Sequence, residues 1–502
     1  MTTTQEATHA HELISINPAT DEPVGSVART DPATVPALMA RSRDAQTAWA
    51  NRPHRERVRI MKRFKRLLAD ESMDVAELIC NENGKPATEA LVADIAAVVD
   101  WVTPLAKLTK QALTTKRIGL GKAHLIGRAS RLEFGPYGVV AIISPWNYPF
   151  SIPAGEIMQA LLCGNSVLFK PSEETPLVGA RLVDLYHRAG VPADVLQILQ
   201  GAGEVGAALI EAGPDKIAFT GAVPTGRRIG ITAAEKMIPV QLELGGKAPT
   251  IVFSDCHFDN TVTAIVWGAF MNSGQTCAAV ERCYVERPLY DRFVAAVVEK
   301  TRTLRQGRGL SPDVEIGPMT RRQERERIHQ QVEQAIERGA TALTGGKMPE
   351  GPGCFYPPTV LVNVDHQMDC MSCESFGPLL PIMPFDTEDE VVALANDSSL
   401  GLTASVWSRN YGKANRVARR IEAGTVTINE TTYSFGLVET PWGGRKNSGI
   451  GWTHGTHGVH EFVRPHHIHT NRIPAFKDPW WFPYNLGVRK RLQWMTKLFS
   501  RL

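Results

Sequence analysis

The 502-residue chain has little cysteine, little net charge and no long apolar run, and each shortage removes a class of protein. Eight irregularly spaced cysteines cannot form the framework of a secreted disulfide scaffold, and they point to a reducing compartment. Lys and Arg together number 55 against 52 for Asp and Glu, spread through the body of the chain, so a nucleic-acid partner is not expected. The absence of any apolar run of about 18 residues excludes a spanning helix. The start, Met1-Thr2-Thr3-Thr4-Gln5-Glu6, lacks the basic and apolar regions of a signal peptide. A cytoplasmic location is expected. What is present is ordinary for a globular protein, 43% hydrophobic and 21% charged, and the length suits two or three domains.

Residues 35–110 read as helices, with Val58, Met61, Phe64, Leu67 and Leu68 at helical spacing and Arg and Lys on the other, solvated face. Short β-prone pieces follow at 131–134 and 139–143, separated by the turn Gly135-Pro136-Tyr137-Gly138. Apolar strands at 166–169, 195–199, 216–220 and 250–253 then alternate with helix-length stretches. This alternation predicts a doubly wound α/β architecture with a mostly parallel sheet, and a second alternating stretch from about 250 to 445 predicts another α/β unit.

Two glycine loops sit where a strand hands over to a helix. Gly201-Ala202-Gly203-Glu204-Val205-Gly206 follows the 195–199 strand, and Phe219-Thr220-Gly221-Ala222-Val223-Pro224-Thr225-Gly226 follows the next one. Glycine there lets backbone approach a phosphate at a helix N-terminus, so the pair suggests a bound nucleotide, with two ordinary tight turns as the alternative. No acidic residue ends a following strand at the usual distance, so the dinucleotide fingerprint is incomplete.

Downstream lie Leu242-Glu243-Leu244-Gly245-Gly246-Lys247 and, 34 residues after Glu243, Cys277 in Asn272-Ser273-Gly274-Gln275-Thr276-Cys277. With Ser144-Pro145-Trp146-Asn147-Tyr148-Pro149 upstream and Glu374-Ser375-Phe376-Gly377-Pro378 downstream, the set resembles the aldehyde dehydrogenase superfamily. Lys170-Pro171-Ser172-Glu173, 396–402, 424–429 and Pro441-Trp442-Gly443-Gly444 continue the resemblance in the family's order, over roughly residues 130 to 450.

The resemblance implies a nicotinamide-binding domain over 1–115 and 137–245, a catalytic domain over 246–454, and an oligomerisation β segment from 116–136 and 455–473. A homodimer or homotetramer is implied with it. By the same match Cys277 is the nucleophile, Glu243 the general base that hydrolyses a thioester, and the Asn147 amide an oxyanion donor together with the Cys277 backbone N–H. Ser144, Trp146, Lys170, Ser172, Glu173, Gly203, Phe219, Thr220, Gly221, Ala222, Leu244, Glu374 and Phe376 are the implied cofactor contacts. A carboxylate at Glu173 would accept hydrogen bonds from ribose hydroxyls and repel a 2′-phosphate, which favours NAD over NADP. Ala222 departs from the serine that many relatives carry there, leaving pyrophosphate contact to backbone groups. Tyr148 and Trp442 match the border of the substrate tunnel and suit an apolar aldehyde, with small charged semialdehydes as the alternative. A catalytically retired binding protein is the alternative from another class.

Other residues carry less. Cys80, Cys163, Cys256, Cys283 and Cys354 read as core filler, Cys370 and Cys373 lack a second pair for zinc, and no metal site is expected. His454, His457, His460, His466, His467 and His469 read as surface or interface residues. The tail, 474–502, combines Pro479-Trp480-Trp481-Phe482-Pro483-Tyr484 with Val488, Leu492, Met495, Phe499 and Leu502 on one helical face. Arg489, Lys490, Arg491, Lys497 and Arg501 add positive charge, and no acid occurs after Asp478. Such a segment reads either as a peripheral anchor at the inner face of a membrane, through 479–502, or as a helix packed on its own protein.

Overall fold

The computed structural model describes residues 12–475, 477–478 and 480–501. Met1 to Glu6, Pro479 and Leu502, which figured in the sequence reading, lie outside the described residues. The chain divides into two compact units, one of residues 1–112 and 136–463 and one of residues 113–135 and 464–502.

Two α/β sheets organise the larger unit. The first has six strands among the described residues, in the order Gly449–Ile450, Val240–Glu243, Lys216–Thr220, Val139–Ile143, Ser166–Lys170, Leu196–Ile198. All but the two-residue edge strand run parallel. The strand order reverses between Val139–Ile143 and Lys216–Thr220, so a crevice opens at their carboxyl ends, where α/β proteins bind ligands. This is the doubly wound fold the alternation predicted. The second sheet has seven strands among the described residues, in the order Thr341–Thr344, Thr359–Val362, Leu379–Phe385, Arg282–Glu286, Pro249–Val252, Thr403–Trp407, Thr425–Ile428, with the first pair antiparallel and the others parallel.

Burial on both faces explains the continuous apolar strands: Val139 to Ile142 and Val167 to Phe169 are fully enclosed. The helix Ser151–Cys163 is buried along its whole length, which is why its apolar pattern has no polar face. Of the residues singled out by spacing, helix His54–Asp70 buries Met61, Phe64 and Leu68 and leaves Val58 and Leu67 half-buried, and it buries Ile60 as well. Two local readings are corrected. Arg57 is not on the solvated face; its guanidinium is buried and donates to the carbonyls of Trp49, Ala50, Arg52 and Leu162, tying a helix end and a loop together. His454 is buried against Trp101 and Phe435 and is held neutral, its pKa pushed down to about 3 by burial.

In the smaller unit, strands Lys116–Ile118, Arg128–Pro136 and Val463–Asn471 form a sheet with Arg128–Pro136 at its centre. Arg128 pairs with Asp478. Helix Leu486–Phe499 starts at an Asn485 cap on the Val488 amide, 3.0 Å. None of its residues is buried; Val488, Leu492 and Met495 form its less exposed stripe, and Trp481, Phe482, Tyr484 and Trp494 are exposed. Among the described residues no helix is long and apolar enough to cross a membrane.

Candidate active site

The carboxyl ends of the first sheet carry most of the residues singled out in the sequence. Ser144-Pro145-Trp146-Asn147 leaves the central strand, Lys170 to Glu173 the next, and Thr220-Gly221-Ala222 and Glu243-Leu244-Gly245 the two on the other side of the reversal. The Ser144 amide bonds the Lys170 carbonyl at 3.2 Å, holding two of these ends side by side.

A groove of about 590 Å³ runs over them, lined by Ser144, Trp146, Lys170, Ser172, Glu173, Gly203, Phe219, Thr220, Gly221 and Ala222. Lys170 Nζ lies 2.8 Å from the Pro171 carbonyl and 3.4 Å from Glu173 Oε2. The groove opens into a chamber of about 160 Å³, where Leu244, Glu374 and Phe376 join Trp146, Asn147, Glu243 and Cys277. On the far side of Cys277 is a third cavity, of about 330 Å³, walled by Tyr148, Ile152, Trp267, Met271, Phe435 and Trp442. Among the described residues no positively charged side chain lines it, and Asp100 is the one acid that does.

Cys277 therefore faces both a polar chamber and an apolar cavity. Its sequence neighbours are bent sharply to allow this. Asn272, Ser273 and Gly274 all have positive φ (49°, 54° and 72°), a costly run that surrounding bonds must hold. The Asn272 amide donates to Glu89 Oε2 at 2.7 Å, its side chain donates to the Asn147 carbonyl at 2.9 Å, and Ser273 Oγ donates to the Gly317 carbonyl at 2.8 Å. Asn147 Nδ2 donates to the Gln275 carbonyl at 3.0 Å, and Tyr148 bonds Thr276 at 2.9 Å. Behind Tyr148 lies the buried pair Lys85–Asp94, 2.6 Å, with Lys85 Nζ 3.8 Å from the centre of the tyrosine ring.

Glycine is required beside the thiol: a Cβ at Gly246 would fall 2.2 Å from the Cys277 carbonyl oxygen, and one at Gly245 2.5 Å from Glu374 Oε2. Glu374 Oε1 accepts the Gly246 amide at 2.9 Å. The Glu374 loop is fixed by Glu281, which accepts from the amides of Ser375 and Phe376 and pairs with Lys247 at 2.9 Å.

Three carboxyls, Glu243, Glu324 and Glu374, line the chamber together with Arg321 and Arg327, and burial dominates its electrostatics. Burial pushes the Cys277 thiol up to about 12, helped by the charges of Glu374 and Glu243. Burial, then the charges of Glu156 and Glu461, holds the Glu243 carboxyl well above the usual carboxylate range, and burial with the Glu281 charge pushes Glu374 up to about 7. The sequence reading missed Glu89, Glu281 and Glu156, whose partners lie far along the chain; only Lys247, inside a quoted motif, stood beside a signal.

The fold and this site define an α/β oxidoreductase whose substrate cavity and nucleotide-type groove meet at a cysteine. Residues 4–468 match the aldehyde dehydrogenase family. The chain is 38% identical over 473 residues to a 4,4′-diapolycopene aldehyde oxidase of Methylomonas, covering 94% of this chain and 88% of the relative. It is 35% identical to a betaine aldehyde dehydrogenase of Cereibacter sphaeroides, covering 92% and 94%. Among solved structures, an NAD-dependent aldehyde dehydrogenase from Sinorhizobium meliloti superposes with a TM-score of 0.89 at 33% identity, covering 94% of this chain and 93% of that one. An NAD+ complex of the aldehyde dehydrogenase from Bacillus cereus gives a TM-score of 0.88 at 32% identity, covering 92% and 94%. The protein belongs to the aldehyde dehydrogenase family.

Proposed function

We propose that the enzyme oxidises an apolar aldehyde to its carboxylic acid with NAD, using Cys277 as nucleophile and Glu243 as general base. The observation that carries this reading is that Cys277 lines both the 330 Å³ apolar cavity and the 160 Å³ chamber at the end of the nucleotide-type groove. The groove suits a dinucleotide: buried Ser144 Oγ is unpartnered on its wall, and Gly203, which opens helix Gly203–Glu211, has nothing within 4 Å of where a Cβ would sit. Glu173 and Lys170 would meet the adenosine ribose, and Glu374 and Phe376 the nicotinamide end. When bound, NAD supplies the hydride acceptor.

The chain's own groups do the rest. The Cys277 thiolate adds to the aldehyde carbon, the carbonyl π pair moves onto oxygen, and the developing oxyanion is met by Asn147 Nδ2 and the Cys277 amide. After hydride departure a thioester remains, and Glu243 takes a proton from the water that hydrolyses it. Burial and the charges of Glu156 and Glu461 raise the Glu243 carboxyl, which makes it a stronger base once ionised. A wall without cations gives a semialdehyde carboxylate nothing to pair with, which favours apolar substrates, including long or isoprenoid-type chains. A chain-length series from two to ten or more carbons, run with NAD and NADP, tests this: turnover should rise with length, and a preference for carboxylated aldehydes sinks it. Cys277→Ser should abolish NADH production and keep dinucleotide binding.

In the same reading, the sheet around Val139–Ile143 is the dinucleotide domain and that around Pro249–Val252 the catalytic domain, while the strands of the smaller unit pair subunits into a homodimer or homotetramer. The tail is a peripheral anchor for an anionic lipid surface, supported by exposed Trp480, Trp481, Phe482 and Trp494 beside Arg489, Lys490, Arg491 and Lys497. Removing residues 480–502 should end binding to anionic liposomes while leaving turnover of a water-soluble aldehyde; retained liposome binding refutes the anchor.

A further inference from the structure

Around Glu243 buried polar atoms without partners are concentrated. Both polar atoms of Gln241, Glu156 Oε2, Gln159 Oε1 and His454 Nδ1 are buried and unpartnered, and the buried Glu243 carboxyl has the Thr453 backbone beside it. They belong to three segments that pack together. Gln241 and Glu243 project from the same side of strand Val240–Glu243, and Glu156 and Gln159 lie one turn apart on helix Ser151–Cys163. His454 Nε2 lies 3.9 Å from where a Cβ at Gly155 would sit, and a Cβ at Gly451 would lie 3.5 Å from Gln241 Cα. Thr220 links the two carboxyls: it stands opposite Glu243 in the parallel register, and its hydroxyl donates to Glu156 Oε1 at 3.4 Å.

Buried polar groups are satisfied by protein or by ordered water, so a seam with this many open donors and acceptors is a place for water. Glu156 is the anomaly in it, the one carboxyl on its helix, 3% exposed, with no cation against it. The ionisable groups on the elements packed around this helix are otherwise engaged or turned outward. Asp94 pairs with Lys85 and accepts from Ser151, Arg57 serves the Leu162 carbonyl, and Tyr186 donates to the Ala154 carbonyl. Lys216 pairs with Glu461, His454 is neutral, and Asp100, Lys107, Lys110 and His457 are exposed.

We propose that Glu156 is the proton-relay partner of Glu243, passing on through buried water the proton that Glu243 draws from the hydrolytic water. This rests on the reading of Glu243 as general base. In the step, the water oxygen bonds the thioester carbon, the C–S bond breaks with its electron pair on sulfur, and one water proton moves to Glu243. Glu243 hands a proton along the seam water to Glu156, and the proton that Glu156 held passes on through the same water to bulk solvent, so the base is restored without a change in redox state. The Glu156 charge opposes ionisation of Glu243, so the state of one carboxyl bears on the titration of the other. Burial pushes Glu156 up to about 8, in line with that role. Glu156 acts through Glu243 and is a positioning and relay residue.

The test uses the full-length enzyme with NAD and an aldehyde it turns over. Glu156→Gln keeps the shape and removes the exchangeable acid. The expected result is a first-turnover NADH burst of wild-type amplitude, steady-state turnover lower by roughly tenfold to a hundredfold, and an acid limb of kcat moved to lower pH. The limb moves down because a negative neighbour that opposed Glu243 ionisation is gone. Glu156→Asp should recover part of the turnover. Wild-type steady state with an unmoved acid limb overturns the relay, and so does a burst lost together with turnover, which would place Glu156 in the fold alone. Glu243→Gln in parallel separates the two readings: if it hydrolyses at the wild-type rate, the general-base reading itself has failed.

Discussion

Glu89 Oε2 accepts a 2.7 Å hydrogen bond from the backbone amide of Asn272, the first residue of the left-handed turn that leads to Cys277. A carboxylate near the N-terminal end of the chain thus holds the least favourable backbone of the site. Glu89→Ala should lower the rate of the NADH burst by about 10–100-fold, because a thiol displaced by an ångström loses its attack geometry. Stopped-flow NADH formation measures this, and an unchanged burst rate would show that the other bonds to the turn suffice.

The thiol of the free enzyme is expected to be protonated at neutral pH, since burial and the charges of Glu374 and Glu243 push it to about 12. Alkylation of Cys277, followed by peptide mapping, should rise about tenfold per pH unit from 7 to 10 with no plateau. Glu243→Gln removes a negative neighbour and should move the curve to lower pH, as should saturation with NAD, whose nicotinamide ring is cationic. A plateau near pH 7 in the free wild-type protein contradicts the prediction.

Glu173 is half exposed on the groove wall and paired with Lys170 at 3.4 Å. Replacing it with Gln removes the repulsion of a 2′-phosphate, so kcat/KM with NADP should rise about tenfold relative to NAD. An unchanged ratio would place the discrimination elsewhere in the groove.

The apolar cavity owes part of its width to a π-helical turn, Ala90–Ala96, which presents Val92, Ala93 and Ala96 to it. Ala93→Phe should cut kcat/KM for aldehydes of ten or more carbons at least tenfold and spare two- and three-carbon ones. Equal losses across the series would mean that the ring disturbs Tyr148 or Met271, with which Ala93 packs, and not the path of the chain.

The doubly wound fold was legible because buried parallel strands and their glycine turns leave a local signature, apolar runs closed by Gly or Pro. Cys277, Glu243 and Asn147 could be picked out because each sits in a dense motif, and the structure places all three around one chamber. Glu89, Glu156 and Glu281 were invisible for the converse reason: the groups each faces are brought close only by tertiary folding, and an isolated Glu in a sequence looks like surface. His454 and Arg57 misled in the same way, since a polar residue enclosed by carbonyls or aromatic rings has no spacing to betray it.

The thiol stands in a partition between two rooms, the 330 Å³ cavity and the 160 Å³ chamber. In the proposed reaction the acid and the spent dinucleotide therefore leave by separate doors. Neither has to wait for the other to clear its path, and an apolar blocker lodged on the aldehyde side should inhibit without competing with the dinucleotide.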